Sequence, residues 1–117
     1  MSEAIQATIN TISETTGVLL VTARHPNICL HADTGSARLG LGHHMHRVLA
    51  EAALDVFARA KDNTMRVVVG DHTIQLARSA EGGQWSMAIM FPTGDAVSKS
   101  VARMLRRGLR RLGRAME

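Results

Sequence analysis

The chain is poor in aromatic residues and in residues that cross-link or interrupt a polypeptide. Its 117 residues include no tyrosine, one tryptophan, two phenylalanines, two prolines and one cysteine. So few aromatic side chains argue against the base-stacking platforms of single-strand nucleic-acid-binding proteins. The lone Cys29 cannot form an internal disulfide, which fits a reducing compartment, and we expect a cytoplasmic protein.

Long apolar runs and targeting signals are missing as well. No run reaches the roughly 18 apolar residues that a membrane-spanning helix needs. The N-terminal residues are polar and lack the basic-then-apolar pattern of a secretion signal, so we expect no export. With no linker-like tract, repeat or low-complexity segment, we expect residues 1–117 to form a single domain.

The first half of the chain changes its hydrophobic period twice. Three isoleucines at spacings of four and three predict a helix over residues 4–15. Short β-branched or alternating apolar runs predict strands at 18–21 and 28–32, joined by a turn around Pro26. A helical period then returns over residues 37–61. Its apolar residues extend around so much of the helix that we expect more than one side of it to be covered.

The second half contains three short strands and an amphipathic helix. Strands are predicted over 65–69, 73–79 and 85–91, separated by glycine-containing turns. Residues 96–116 place valine, leucine and methionine on one helical face and arginine on the other. The element order α-β-β-α-β-β-β-α predicts an α/β protein of the α+β kind.

This order of elements resembles the Roadblock/LC7 family, in particular its bacterial small-GTPase-associated type. The resemblance spans Ile5 to Leu112 and includes the segment Gly17-Val-Leu-Leu-Val and the strand that ends in Asp33-Thr-Gly. It implies a five-stranded antiparallel sheet between helices, with the first and last helices on one face of the sheet and the long helix on the other. A profilin-like or PAS-like α/β domain is the nearest alternative.

The resemblance also implies a mode of association and a class of partner. Family members pair their third strands edge to edge and pack their long helices together, so we expect a homodimer. The implied function is a non-catalytic adaptor or regulator that binds a Ras-like small GTPase or another NTPase module. The expected interface residues are Met45, Leu49, Ala53, Val56, Phe57, Met65, Val67, Val68 and Val69.

Positive charge is concentrated at the end of the chain. The net charge is +4, and residues 96–117 hold seven basic residues against one acidic residue. The basic face consists of Lys99, Arg103, Arg106, Arg107, Arg110, Arg111 and Arg114. Such a face suits an anionic membrane or nucleic acid, which gives a second functional hypothesis. It is equally the solvated face of a helix packed on a sheet.

Metal and catalytic motifs are weak. His43 and His46 lie three residues apart on one helical face, and Cys29 and His31 share one face of a strand. Zinc accepts such ligands, which gives a third hypothesis, a small ligand or metal sensor. No His-Glu-x-x-His or Cys-x-x-Cys spacing is present. We therefore expect no cofactor, no metal and no catalytic residues.

Overall fold

The computed structural model describes residues 2–15, 17–26, 28–33, 43–79, 84–94 and 97–115. Within these ranges the order of helices and strands follows the sequence-based prediction. The elements are α1 (Ser2–Ser13), β1 (Leu20–His25), β2 (Ile28–Ala32), α2 (His43–Arg59), β3 (Thr64–Val69), β4 (His72–Arg78), β5 (Ser86–Pro92) and α3 (Ser98–Ala115).

The five described strands form one antiparallel sheet in the order β2-β1-β5-β4-β3. Strand β1 therefore pairs with both β2 and β5, which places the first hairpin beside the last strand. Strands β2 and β3 form the two edges. The predicted five-stranded antiparallel sheet of an α+β fold is confirmed.

Helices cover both faces of the sheet, as the resemblance implied. On one face, α1 and α3 pack over residues such as Val21, Ile89 and Phe91. On the other face, α2 packs over Leu20, Leu76 and Met90. Alternate residues of each central strand point to opposite faces, so β1 and β5 contribute to both cores.

The predicted element boundaries differ from the observed ones mostly by one or two residues. Among the described residues the largest difference is in the first strand, predicted over 18–21 and observed over Leu20–His25. The long helix, predicted over 37–61, ends at Arg59, and its predicted start lies among residues that the structure does not describe. Residues 34–42 lie outside the described part of the chain. The predicted turn at Gly70 is confirmed: Val69 pairs with His72, and Gly70 has a φ of 58°, a left-handed conformation that glycine adopts without strain.

None of the described helices is both long enough and apolar enough to cross a membrane.

Candidate functional site

An apolar surface lies on α2, on the side turned away from the sheet. Met45 and Val56 are each 60% exposed and Val48 is 45% exposed, although all three are large apolar residues. With the exposed Ala52 they recur every three or four residues and form one stripe along the helix. Aligned exposed residues of this kind are typical of a surface that another protein covers.

The stripe lies on the outward side of α2, beside the flank that carries Leu49 and Ala60. The opposite flank contacts the first hairpin through Asp55, which pairs with Arg24 of β1, and Arg47, which pairs with Asp33 after β2. Leu49 and Ala60, beside the stripe, pack in the same apolar cluster as residues of β3. The stripe and the edge strand are therefore neighbours on one side of the molecule.

The two faces of the edge strand β3 differ in exposure. Met65 and Val67 are half-buried and pack against the core beneath α2, and Val69 is half-buried. Val68 points to the other face and is 60% exposed. An edge strand rich in valine, with no neighbour on one side within the described sheet, is a surface that proteins normally protect.

Two residues of the predicted dimer interface lie elsewhere. Phe57 is fully buried and Ala53 is 7% exposed, because both lie on the sheet-facing side of α2 and pack in its core. Placing them at the surface was wrong: the wide apolar circumference of the helix consists of a core side and a separate exposed stripe. Leu49 is half-buried between the two.

A second feature is a polar cluster between β2 and α2, formed by Cys29, His31 and Glu51. The Cys29 Sγ lies 3.9 Å from His31 Nε2 and 3.6 Å from Glu51 Oε1. His31 Nε2 lies 3.7 Å from Glu51 Oε1. Within the described ranges this is the one group of three metal-ligating side chains whose donor atoms all lie within 4.8 Å of one another.

The strand register builds this cluster. Cys29 pairs with Arg24, and His31 pairs with Thr22, so all four side chains project from the α2 face of the first hairpin. The fully buried Thr22 places its Oγ1 2.8 Å from His31 Nδ1, which fixes the ring and leaves Nε2 facing the other two donors. Glu51 reaches the same point from the middle of α2.

The environment shifts the pKa values of Cys29 and His31. Desolvation raises the pKa of the Cys29 thiol, and a hydrogen bond from Arg24 offsets this in part. Although Cys29 as a residue is exposed, its thiol lies against the side chains of Arg24 and Glu51. Desolvation lowers the pKa of His31, against an opposing effect of Glu51. Near neutral pH the ring of His31 is therefore neutral and the thiol is not activated as a nucleophile.

Of the two histidines that helical spacing singled out, His46 does not join this cluster. His46 is buried on α2, and its ring lies edge-on to that of His72 in β4 with centroids 5.1 Å apart. The side chain of His43 lies outside the described part of the chain. Among the described residues, His46 belongs to no group of three metal-ligating side chains.

Sequence reasoning placed Cys29 and His31 on one face of a strand but missed Glu51 and Thr22. Glu51 lies 20 residues after His31 on a different element, so no local spacing connects them. The register of the first hairpin could have identified Thr22 as a neighbour of His31. A short turn around Pro26 sets which residues of β1 lie opposite Cys29 and His31.

The basic face of α3 is in contact with solvent. Lys99, Arg103, Arg106, Arg107, Arg110, Arg111 and Arg114 are all exposed. On the other side of the helix, Val101, Leu105, Leu109 and Leu112 are buried in the core that α3 shares with α1.

Comparison with known proteins identifies the fold. No protein-family profile and no curated protein matches the sequence. Among solved structures, Myxococcus xanthus MglB is similar to this chain with a TM-score of 0.61 at 9% sequence identity, over 97% of this chain and 88% of that chain. The fold is therefore roadblock-like.

Proposed function

We propose that this chain is a homodimeric adaptor or regulator of a small GTPase, which acts by binding and not by catalysis of its own. The structural similarity to MglB and the sequence resemblance to the Roadblock/LC7 family together support this class of function. The observation that carries the proposal is the exposed apolar stripe of α2 beside the edge strand β3.

The proposed dimer places β3 of each subunit edge to edge, so that the sheet continues across the interface. The stripe of Met45, Val48 and Val56 then packs against the same stripe of the second subunit. This arrangement is isologous, since each subunit contributes the same surface. It covers the exposed valines and gives the unpaired backbone groups of β3 hydrogen-bonding partners.

The oligomeric state tests this interface directly. Wild-type protein examined by light scattering at micromolar concentration should have twice the mass of one chain. Val56→Glu should give a monomer, because it would bury a carboxylate in an apolar contact. Ala102→Glu places the same charge on an exposed position of α3 and should leave the dimer intact. A wild-type monomer, or a Val56→Glu dimer of unchanged affinity, would contradict the proposed interface.

The GTPase partner requires a separate experiment. The small GTPase encoded nearest to this gene is the first candidate, loaded in turn with GDP and with a non-hydrolysable GTP analogue. We expect binding that differs between the two nucleotide states, since an adaptor that reads the switch loops distinguishes them. The chain alone should not hydrolyse GTP. Hydrolysis by the isolated chain, lost on substitution of its own residues, would contradict a non-catalytic role.

The exposed arginine face of α3 supports a second candidate function, the binding of an anionic surface. Seven basic side chains on one exposed helix face would attract anionic lipid or nucleic acid, and the attraction would weaken as salt is added. Sedimentation with anionic vesicles at low and high salt measures this. Absence of binding at low salt would remove this candidate.

A further inference from the structure

We propose that Cys29, His31 and Glu51 bind a single zinc ion, with a water molecule as the fourth ligand. No sequence motif and no comparison points to this site, and it does not depend on the proposed adaptor function. It lies on β2, at the opposite edge of the sheet from β3. Its test therefore leaves the dimer and the GTPase proposals undisturbed.

The distances suit tetrahedral coordination. Zinc lies about 2.3 Å from thiolate sulfur and about 2.0–2.2 Å from imidazole nitrogen and carboxylate oxygen, so its donor atoms are separated by roughly 3.3–3.6 Å. The three separations here are 3.6, 3.7 and 3.9 Å. The donors would need to close by only a few tenths of an ångström, which a glutamate side chain with 45% exposure accommodates by small rotations.

The orientation of the histidine distinguishes a metal site from a catalytic relay. In a nucleophile–histidine–acid relay the acid bonds one ring nitrogen and the nucleophile the other. Here the Cys29 thiol and the Glu51 carboxylate both lie beside Nε2 of His31. The Oγ1 atom of Thr22 lies 2.8 Å from Nδ1. Three donors that converge on one point, with the far nitrogen hydrogen-bonded, form the usual environment of a metal-ligating histidine.

The positive charges around the three ligands are paired with negative ones, so they do not exclude a cation. The two neighbouring guanidinium groups each pair with an aspartate: Arg24 with Asp55 at 2.6 Å, and Arg47 with Asp33 at 2.5 Å. The charges within each pair cancel, although Arg24 also donates a hydrogen bond to the Cys29 thiol, and the carboxylate of Glu51 lies beside the imidazole and that thiol. On binding, the thiol releases its proton to solvent as the sulfur–zinc bond forms, and the two anionic ligands then balance the charge of Zn²⁺.

Zinc and cobalt binding to untagged protein tests the site. Titration calorimetry with Zn²⁺ should give one site per chain. Co²⁺ should give thiolate-to-metal charge-transfer absorption and the intense visible bands of tetrahedral cobalt. Since Cys29 is the sole cysteine, a thiolate–cobalt band assigns that ligand unambiguously.

Substitutions identify the other ligands. Cys29→Ser should abolish the charge-transfer band, and Glu51→Gln and His31→Gln should each weaken Zn²⁺ binding at least tenfold. Thr22→Val, which removes only the hydrogen bond to Nδ1, should weaken binding by about 10–100-fold while the cobalt spectrum keeps its form. The control is His44→Ala, an exposed histidine of α2 outside the cluster.

Two results would overturn the proposal. One is the absence of a thiolate–cobalt band in the wild-type protein, which retains every ligand and needs no variant to fold. The other is stoichiometric Zn²⁺ binding that survives Cys29→Ser and is lost in His43→Ala/His46→Ala, which would move the site to the histidines at the start of α2.

Discussion

The guanidinium of Arg78 lies 4.1 Å above the centre of the Phe57 ring and also holds the end of the helix that carries that ring. Its Nη2 donates hydrogen bonds to the carbonyl oxygens of Phe57, at 2.6 Å, and Ala60, at 3.0 Å. The last carbonyls of a helix have no intrahelical partner, and a cation near them also suits the helix dipole. Through this one side chain, β4 fixes where α2 ends.

Replacing Arg78 with alanine should therefore destabilise the protein. A hydrogen bond that involves a charged group contributes about 1.5–3 kcal/mol, and a cation–π contact contributes about 0.5–2 kcal/mol when partly desolvated. Because the two are made by one group and do not add fully, we expect a loss of about 2–4 kcal/mol in urea unfolding. Arg59→Ala, an exposed arginine in the last turn of α2, should cost well under half as much. Equal effects would contradict the capping role.

The contrast between Phe57 and Val56 shows how far the sequence predicts this fold. Hydrophobic period gave the order of elements, because strands alternate in twos and helices repeat every 3.6 residues. It could not divide α2 into its two apolar sides, since Val56 and Phe57 are adjacent and both are apolar. Only the position of the helix over β1, β5 and β4 puts Phe57 in the core and leaves Val56 exposed.

The polar cluster shows a second limit of prediction from sequence, which concerns contacts between distant elements. The positions of Cys29 and His31 on one strand face follow from the alternation of a strand. Glu51 joins them only because α2 crosses the first hairpin at the level of His31, a tertiary relationship with no local pattern. The same tertiary packing brings His46 toward His72 and away from Cys29, which no helical spacing could predict.

Two glycines of α3 should respond differently to substitution. A Cβ at Gly113 would meet nothing within 4 Å, so Gly113→Ala should stabilise the protein by about 0.5–1 kcal/mol through helix propensity. A Cβ at Gly108 would lie 2.8 Å from Ile12 Cδ1 and from Met87 Cε. These flexible ends can shift, so Gly108→Ala should gain little or nothing, and Gly108→Leu should cost about 1–3 kcal/mol through overpacking. Thermal unfolding measures both; a stabilising Gly108→Leu would contradict close contact of α3 with α1 and β5.

Charge reversal on the basic face of α3 should leave the fold intact. In Arg103→Glu/Arg106→Glu, each new carboxylate would lie four residues before an arginine, Arg107 and Arg110 respectively. Such pairs stabilise a helix by about 0.2–0.5 kcal/mol each, so we expect unfolding free energy unchanged or slightly higher. Leu105→Glu, which lies directly before Arg106 in the chain but on the buried side of the helix, should unfold the protein instead. If the double reversal destabilises as strongly as Leu105→Glu, the arginines have a structural role that their exposure does not indicate.

Removal of α3 tests whether this helix is part of the core or a peripheral arm. A chain that ends before Ala96 loses five side chains that are buried in the core shared with α1, namely Val97, Val101, Leu105, Leu109 and Leu112. Each contributes about 1.5–3 kcal/mol by burial before the cost of ordering the helix is subtracted. Their total is comparable with the stability of a whole small domain, about 5–15 kcal/mol.

The shortened chain should therefore be insoluble, or compact without fixed tertiary structure, with near-ultraviolet circular dichroism lost. The matched control ends at Leu112, which keeps all five buried side chains and removes the exposed Gly113 and Arg114. That chain should fold with nearly the stability of the full-length protein. If the chain without α3 instead folds cooperatively, and the full-length protein binds anionic vesicles in a salt-sensitive way, the helix is an arm for an anionic surface. The second candidate function would then replace the adaptor as the better explanation of its arginine face.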